Sequence, residues 1–124
     1  MTDSTDEVLL RLPARADYGR IVRVGAAALG IRQGLSFSEI DDLRLAIDEA
    51  VILVLGAAPT DAEIWAVFRF DDGCLELELA CDDASDLSGD SIDRFQRATE
   101  ELIDEYAIDA ARAWLRLRKT AAAG

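Results

Sequence analysis

Apolar and polar positions along this chain fall into alternating and helical patterns that succeed one another clearly. Residues 8–12 (Val-Leu-Leu-Arg-Leu) read as a strand closed by Pro13. From Asp17 onward, Tyr18, Ile21, Val24/Gly25 and Ala28/Leu29 recur at helical spacing, with Gly30 as a stop. That period places Arg20 and Arg23 together on the helix's polar side. Ser36 followed three residues later by Glu39 is a capping-box signature and opens the clearest helix. Ile40, Leu43, Ile47, Ala50 and Val54 form its inward stripe, while Asp41, Asp42, Arg44 and Asp48 face elsewhere. Its last turns, Ala50 to Leu55, are apolar all round and predict an end buried on every side, stopped by Gly56 and Pro59.

Two β-rich runs, 63–70 and 74–81, flank Asp71-Asp72-Gly73, a hairpin turn with glycine available for positive φ. In the second run Leu75, Leu77, Leu79 and Cys81 alternate with Cys74, Glu76, Glu78 and Ala80, giving one apolar and one wet face. A polar loop over 82–90 precedes a third helix with Phe95, Ala98, Leu102, Ile103 and Tyr106 inward. The last strand runs from Ala111 to Lys119, with Ala113, Leu115 and Leu117 inward. Its outward arginines can pair across the sheet with Glu76 and Glu78. The sum, βααββαβ, is an α+β two-layer sandwich: helices on one face of a mostly antiparallel sheet of four to five strands.

With 124 residues the chain has the size of one domain, expected over 8–119 with flexible tails at 1–7 and 120–124. Residues Met1 to Glu7 are too polar and acidic to read as a signal peptide, and no apolar run reaches membrane-spanning length. A formal charge of −12 disfavours nucleic acid and anionic lipid and would steer a basic protein partner toward the chain. The absence of His excludes His-based relays and zinc sites that draw on His. Cys74 and Cys81, on one strand, stand too far apart for a disulfide, which suits a reducing, cytoplasmic setting. Asp86-x-Ser88-x-Asp90 lacks the glycine and closing Glu of a calcium loop.

The stretch Asp42-Leu43-Arg44-Leu45-Ala46-Ile47-Asp48-Glu49-Ala50, set in this element order, resembles the anti-sigma regulatory factors. These are small bacterial serine-protein kinases with the histidine-kinase-type ATPase fold, and the actinobacterial branch looks closest. The resemblance covers Val8 to Lys119 and is sharpest around Glu49. The family's helix carries Glu-Ala-x-x-Asn, in which Glu is the base toward a serine hydroxyl and Asn holds Mg²⁺. Here Glu49 and Ala50 match, but Leu53 stands at the metal position, and an aliphatic group has no lone pair for a hard cation. The chain has no Asn to substitute.

Asp82 aligns with the family's adenine-reading Asp, yet the glycines that follow it are replaced by Ala84 and Asp86. Of the glycine-rich phosphate lid only Gly89 remains, among Asp82, Asp83, Asp86 and Asp90, which repel a triphosphate. The resemblance therefore implies an anti-sigma factor with a vestigial base (Glu49), a vestigial adenine reader (Asp82), no metal site and no expected cofactor, Mg·ATP binding being the alternative. Implied partners are an RNA polymerase sigma factor, a competing anti-anti-sigma (STAS-domain) protein and a second copy of the chain, with neither nucleic acid nor membrane. Arg20 and Arg23 are the candidate partner-binding residues, as exposed arginines suited to acidic groups. Trp65 and Trp114 are placed on the sheet's outer face, as single exposed groups or as part of a dimer surface.

Overall fold

The computed structural model describes residues 6–71 and 73–122. The predicted turn residue Asp72 and the tail residues 1–5 and 123–124 lie outside them. The described residues form β1 (Glu7–Pro13), α1 (Ala16–Arg32), α2 (Phe37–Leu55), β2 (Glu63–Asp71), β3 (Cys74–Cys81), α3 (Gly89–Thr99), β4 (Glu105–Asp109) and β5 (Trp114–Thr120). The strands make one antiparallel sheet in the order β1-β2-β3-β5-β4, and the helices cover one face, so the α+β two-layer arrangement is as expected.

Helix α2 begins as its sequence dictates: the Ser36 hydroxyl accepts from the Glu39 amide, and the Glu39 carboxylate accepts from the Ser36 amide. The other Glu39 oxygen accepts from the Ala122 amide, and Ala121 N–H donates to Gly73 O, so the chain just past β5 is held down. These bonds from backbone amides hold the Glu39 carboxyl below its usual range. The whole predicted stripe from Ile40 to Val54 is buried. The far end departs from expectation, because Ile52 is 48% exposed: α2 is covered by α1 on one flank and α3 on the other, which leaves a solvent-facing ridge between them.

Helix α1 presents a different side from the one predicted. Gly19, Val22, Ala26 and Gly30 are buried, whereas Ile21 and Val24 are exposed. Small residues face inward because their neighbours come very close: a Cβ at Gly19 would stand 2.8 Å from a Val51 methyl of α2, and one at Gly30 2.9 Å from Leu35 in the connection to α2.

The hairpin forms with Gly73 at φ +80°, and register sets Ile64, Ala66 and Phe68 on the same face as Leu75, Leu77, Leu79 and Cys81. The third helix is shorter than predicted. It ends at Thr99, whose buried hydroxyl donates to Phe95 O, and Tyr106 belongs to an edge strand, β4, that periodicity alone does not reveal. Tyr106 still packs edge-on against Phe95 at 5.5 Å, which is why it read as part of the same apolar stripe. β5 starts at Trp114, after a 3₁₀ turn (Ala110–Arg112) and a left-handed Ala113 at φ 47°, later than the predicted Ala111.

On the outer face one row crosses all five strands: Glu7, Arg69, Glu76, Arg118 and Glu105. Arg69 reaches Glu7 at 2.6 Å and Glu76 at 3.3 Å; Arg118 reaches Glu76 at 3.7 Å and Glu105 at 3.2 Å. The predicted pairing of β5 arginines with Glu76 therefore forms through Arg118. Glu78 instead accepts from Arg69 and from the Trp114 indole. Both tryptophans lie on this face, half-buried, with Arg11 over Trp65 and Arg112 over Trp114. Cys74 and Cys81 are free and buried, and burial pushes the Cys81 thiol up.

The hydrogen bond from Arg69 holds the Glu78 carboxyl below its ordinary value of 4.5. A group depressed on folding contributes stability that is complete above its unfolded value and is lost as pH falls through its folded value. Urea unfolding from neutral pH into the acid range is therefore expected to show a flatter acid limb for Glu78→Gln than for the parent chain.

Candidate functional site

The α2 residues Glu49 and Leu53 are one turn apart and lie on the side facing α3, yet their environments differ. Leu53 is 3% exposed and packed in the core. Glu49 sits at the edge of that core, and its carboxylate meets Arg94 of α3 at 3.4 Å. Sequence pattern does not reveal Arg94 as a partner, because it lies 45 positions from Glu49 and no motif joins the two.

Between these helices there remains a space of about 40 Å³ lined by Glu49, Ile52, Leu53, Ser91, Arg94 and Phe95. A water molecule in the liquid occupies about 30 Å³ and small-molecule pockets about 300–1,000 Å³. The 82–88 loop is also tied in place. The Ser85 amide and hydroxyl both donate to Ala57 O, the Leu87 amide donates to Ala110 O, and Leu87 is buried. Ser88 caps α3 by accepting from the Ser91 amide.

Asp82 leaves β3 toward the other side. Its carboxylate accepts from the Trp65 indole at 3.1 Å, on the outer face of the sheet, and it does not line the space beside Glu49. Among the described residues no group of three or more His, Cys, Asp or Glu side chains gathers as a metal cage.

The two candidate arginines separate. Arg23 donates to both Asp48 oxygens, at 3.1 and 3.0 Å, and ties α1 to α2. Arg20 is exposed at the rim of an apolar groove of about 490 Å³ between β1 and α1, whose walls include Val8, Leu10, Ile21, Val24 and Leu29 with Phe68 at its floor. Periodicity does not reveal this groove, because the α1 residues lining it carry the helical period expected of a core.

No family model matches the chain. Curated relatives do: serine-protein kinase RsbW of Bacillus thuringiensis (strain Al Hakam), of Bacillus cereus (strain AH820) and of Bacillus anthracis are each 29% identical to it over 82 residues, 64% of this chain and 51% of the relative. The chain thus spans about half the length of the curated relatives it matches. No helix among the described residues is long and apolar enough to cross a membrane.

Because Leu53 is part of the core, Leu53→Asn is expected to lower unfolding free energy by about 2–4 kcal/mol in urea titrations, from lost apolar burial and an unsatisfied amide. By its sequence likeness to serine-protein kinase RsbW, together with its helix-covered antiparallel sheet, the chain is similar to the anti-sigma regulatory factors that its Glu49 helix resembles.

Proposed function

We propose that this chain is an anti-sigma factor that sequesters an RNA polymerase sigma factor and is released by a competing anti-anti-sigma protein, without hydrolysing ATP or transferring phosphate. One observation carries the second half of this reading. Where the resembled family has a magnesium-holding Asn, a buried Leu53 stands, beside a Glu49 already paired with Arg94 and a space of about 40 Å³. These residues do not fit a metal-bridged triphosphate: at the metal position the ion would meet the methyl groups of Leu53, which have no lone pair to give.

The binding half rests on the likeness to the curated relatives and on surface chemistry. Arg20, beside the apolar groove, has no carboxylate partner among the described residues and offers a fork for an acidic group of the sigma factor. Arg23, engaged with Asp48, holds the two helices in register beneath that surface. Release then follows from mutually exclusive binding, the relative affinities setting how much sigma factor is free. A second copy of the chain completes the partner set.

The relatives' name, serine-protein kinase, together with the Glu49–Ala50 match, favours a second reading, in which the chain phosphorylates an anti-anti-sigma serine with Glu49 as base.

Thermal unfolding with added Mg·ATP separates the two. Saturation at 100 times Kd adds about 2.7 kcal/mol, so the first reading expects an unmoved Tm and the second a clear rise. Capture of sigma factors from the native host by the immobilised chain tests the binding half. Arg20→Glu is expected to weaken that capture about tenfold, while recovery of neither a sigma factor nor an anti-anti-sigma protein would refute it.

A further inference from the structure

The groove between β1 and α1 follows from how α1 is seated. Gly19, Ala26 and Gly30, the small buried residues of that helix, draw it toward α2 and the connection that precedes α2. Its opposite flank is left standing off the first strand. Val8 and Leu10 of β1 therefore look across at Ile21, Val24 and Leu29 of α1 over a space of about 490 Å³, with Phe68 beneath. The apolar walls stay wet, since Val24 is 64% exposed, Ile21 44% and Val8 38%. A volume of this size falls within the range of small-molecule pockets, about 300–1,000 Å³.

Electrostatics select the occupant. Arg20, at the rim, is the one charged residue among the described residues that line the groove, and no carboxylate among them pairs with it. Helix α1 carries Arg20, Arg23 and Arg32 against Asp17, a formal +2. Helix α2 sets Glu39, Asp41, Asp42, Asp48 and Glu49 against Arg44, a formal −4. The groove thus lies beside a helix of positive balance in a chain of −12, and screening over about 8 Å at physiological salt mutes the carboxylates farther off.

We propose that this groove binds a small amphiphile with a carboxylate head and an unbranched aliphatic tail, of the medium-chain fatty-acid class. The head meets the Arg20 guanidinium, whose fork presents two N–H donors to two carboxylate oxygens. The tail lies along the groove and takes Ile21, Val24 and Val8 out of water. Selectivity is then for the charge of the head and the length of the tail, because the walls offer hydrocarbon and no further charged group. The inference goes beyond the sigma-factor reading and does not rest on it; the two share only Arg20.

The test is isothermal titration calorimetry of the full chain with octanoate, decanoate and dodecanoate below their micellar concentrations, and with octanol as the uncharged control. Each buried methylene is expected to tighten binding about fourfold, so Kd falls about fifteenfold from octanoate to decanoate. Arg20→Gln is expected to weaken decanoate about tenfold and to leave octanol unchanged, which separates a contact with the head from a disturbed groove. Val24→Asp sets a carboxylate in the wall at an exposed position and is expected to weaken decanoate about tenfold or more, with circular dichroism verifying the fold. No heat up to about 1 mM decanoate, affinity independent of tail length, or either variant binding decanoate like the parent would each overturn the proposal. So would a groove filled by a second copy, seen as a decanoate affinity that falls as the chain is concentrated from about 10 to 100 µM. Sigma-factor capture enters none of these measurements, so the failure of one reading is distinguishable from the failure of the other.

Discussion

The burial of α2 is the constraint on which the rest of the molecule depends. It is covered by α1, α3 and the sheet, and its inward stripe is apolar without interruption. Gly19 and Gly30 give α1 the closeness this packing requires. A cation site on such a helix would need an oxygen donor at its third-from-last residue, and the core needs a hydrocarbon there. Leu53 meets the core's requirement, and Glu49, one turn earlier, is left at the margin where Arg94 neutralises it. What the helix can do chemically is therefore fixed by what holds the fold together.

The sheet divides its two faces by the same parity. Every second residue of β2, β3 and β5 enters the core, and the intervening ones carry the crossing row of alternating charge. Lys119 shows how strictly this holds: it falls on the inner parity, and its ammonium, largely buried, donates to Leu102 O and lies 3.7 Å from Asp42. Arg69 and Arg118 act as the links of the outer row, each bridging carboxylates on both sides.

Much of this could be read from residues alone. The Ser36–Glu39 box, the α2 stripe and the Gly73 turn are local devices, and each one formed as written. Failures came where a tertiary partner decides. On α1 the large apolar residues suggested the core side, but close helix contact selects small ones, so Ile21 and Val24 turned outward. β4 was hidden because Tyr106 shares the Phe95 contact, and a strand of five residues at an edge needs only β5 to define it. For the site, the positions of Glu49 and Leu53 were legible from spacing. The ion pairs that occupy Glu49 and Arg23, and the turn of Asp82 toward Trp65, depend on residues distant in sequence.

The crossing row has one more effect. Its carboxylates and guanidinium groups nearly cancel, and the three helices together carry a formal −2, so most of the −12 lies on connecting segments and chain ends. The charge is thus concentrated in connecting segments, above all residues 82–88 and 100–104, which hold three carboxylates each and no cation. A cationic body diffusing nearby is drawn to those segments first, and added salt weakens that steering.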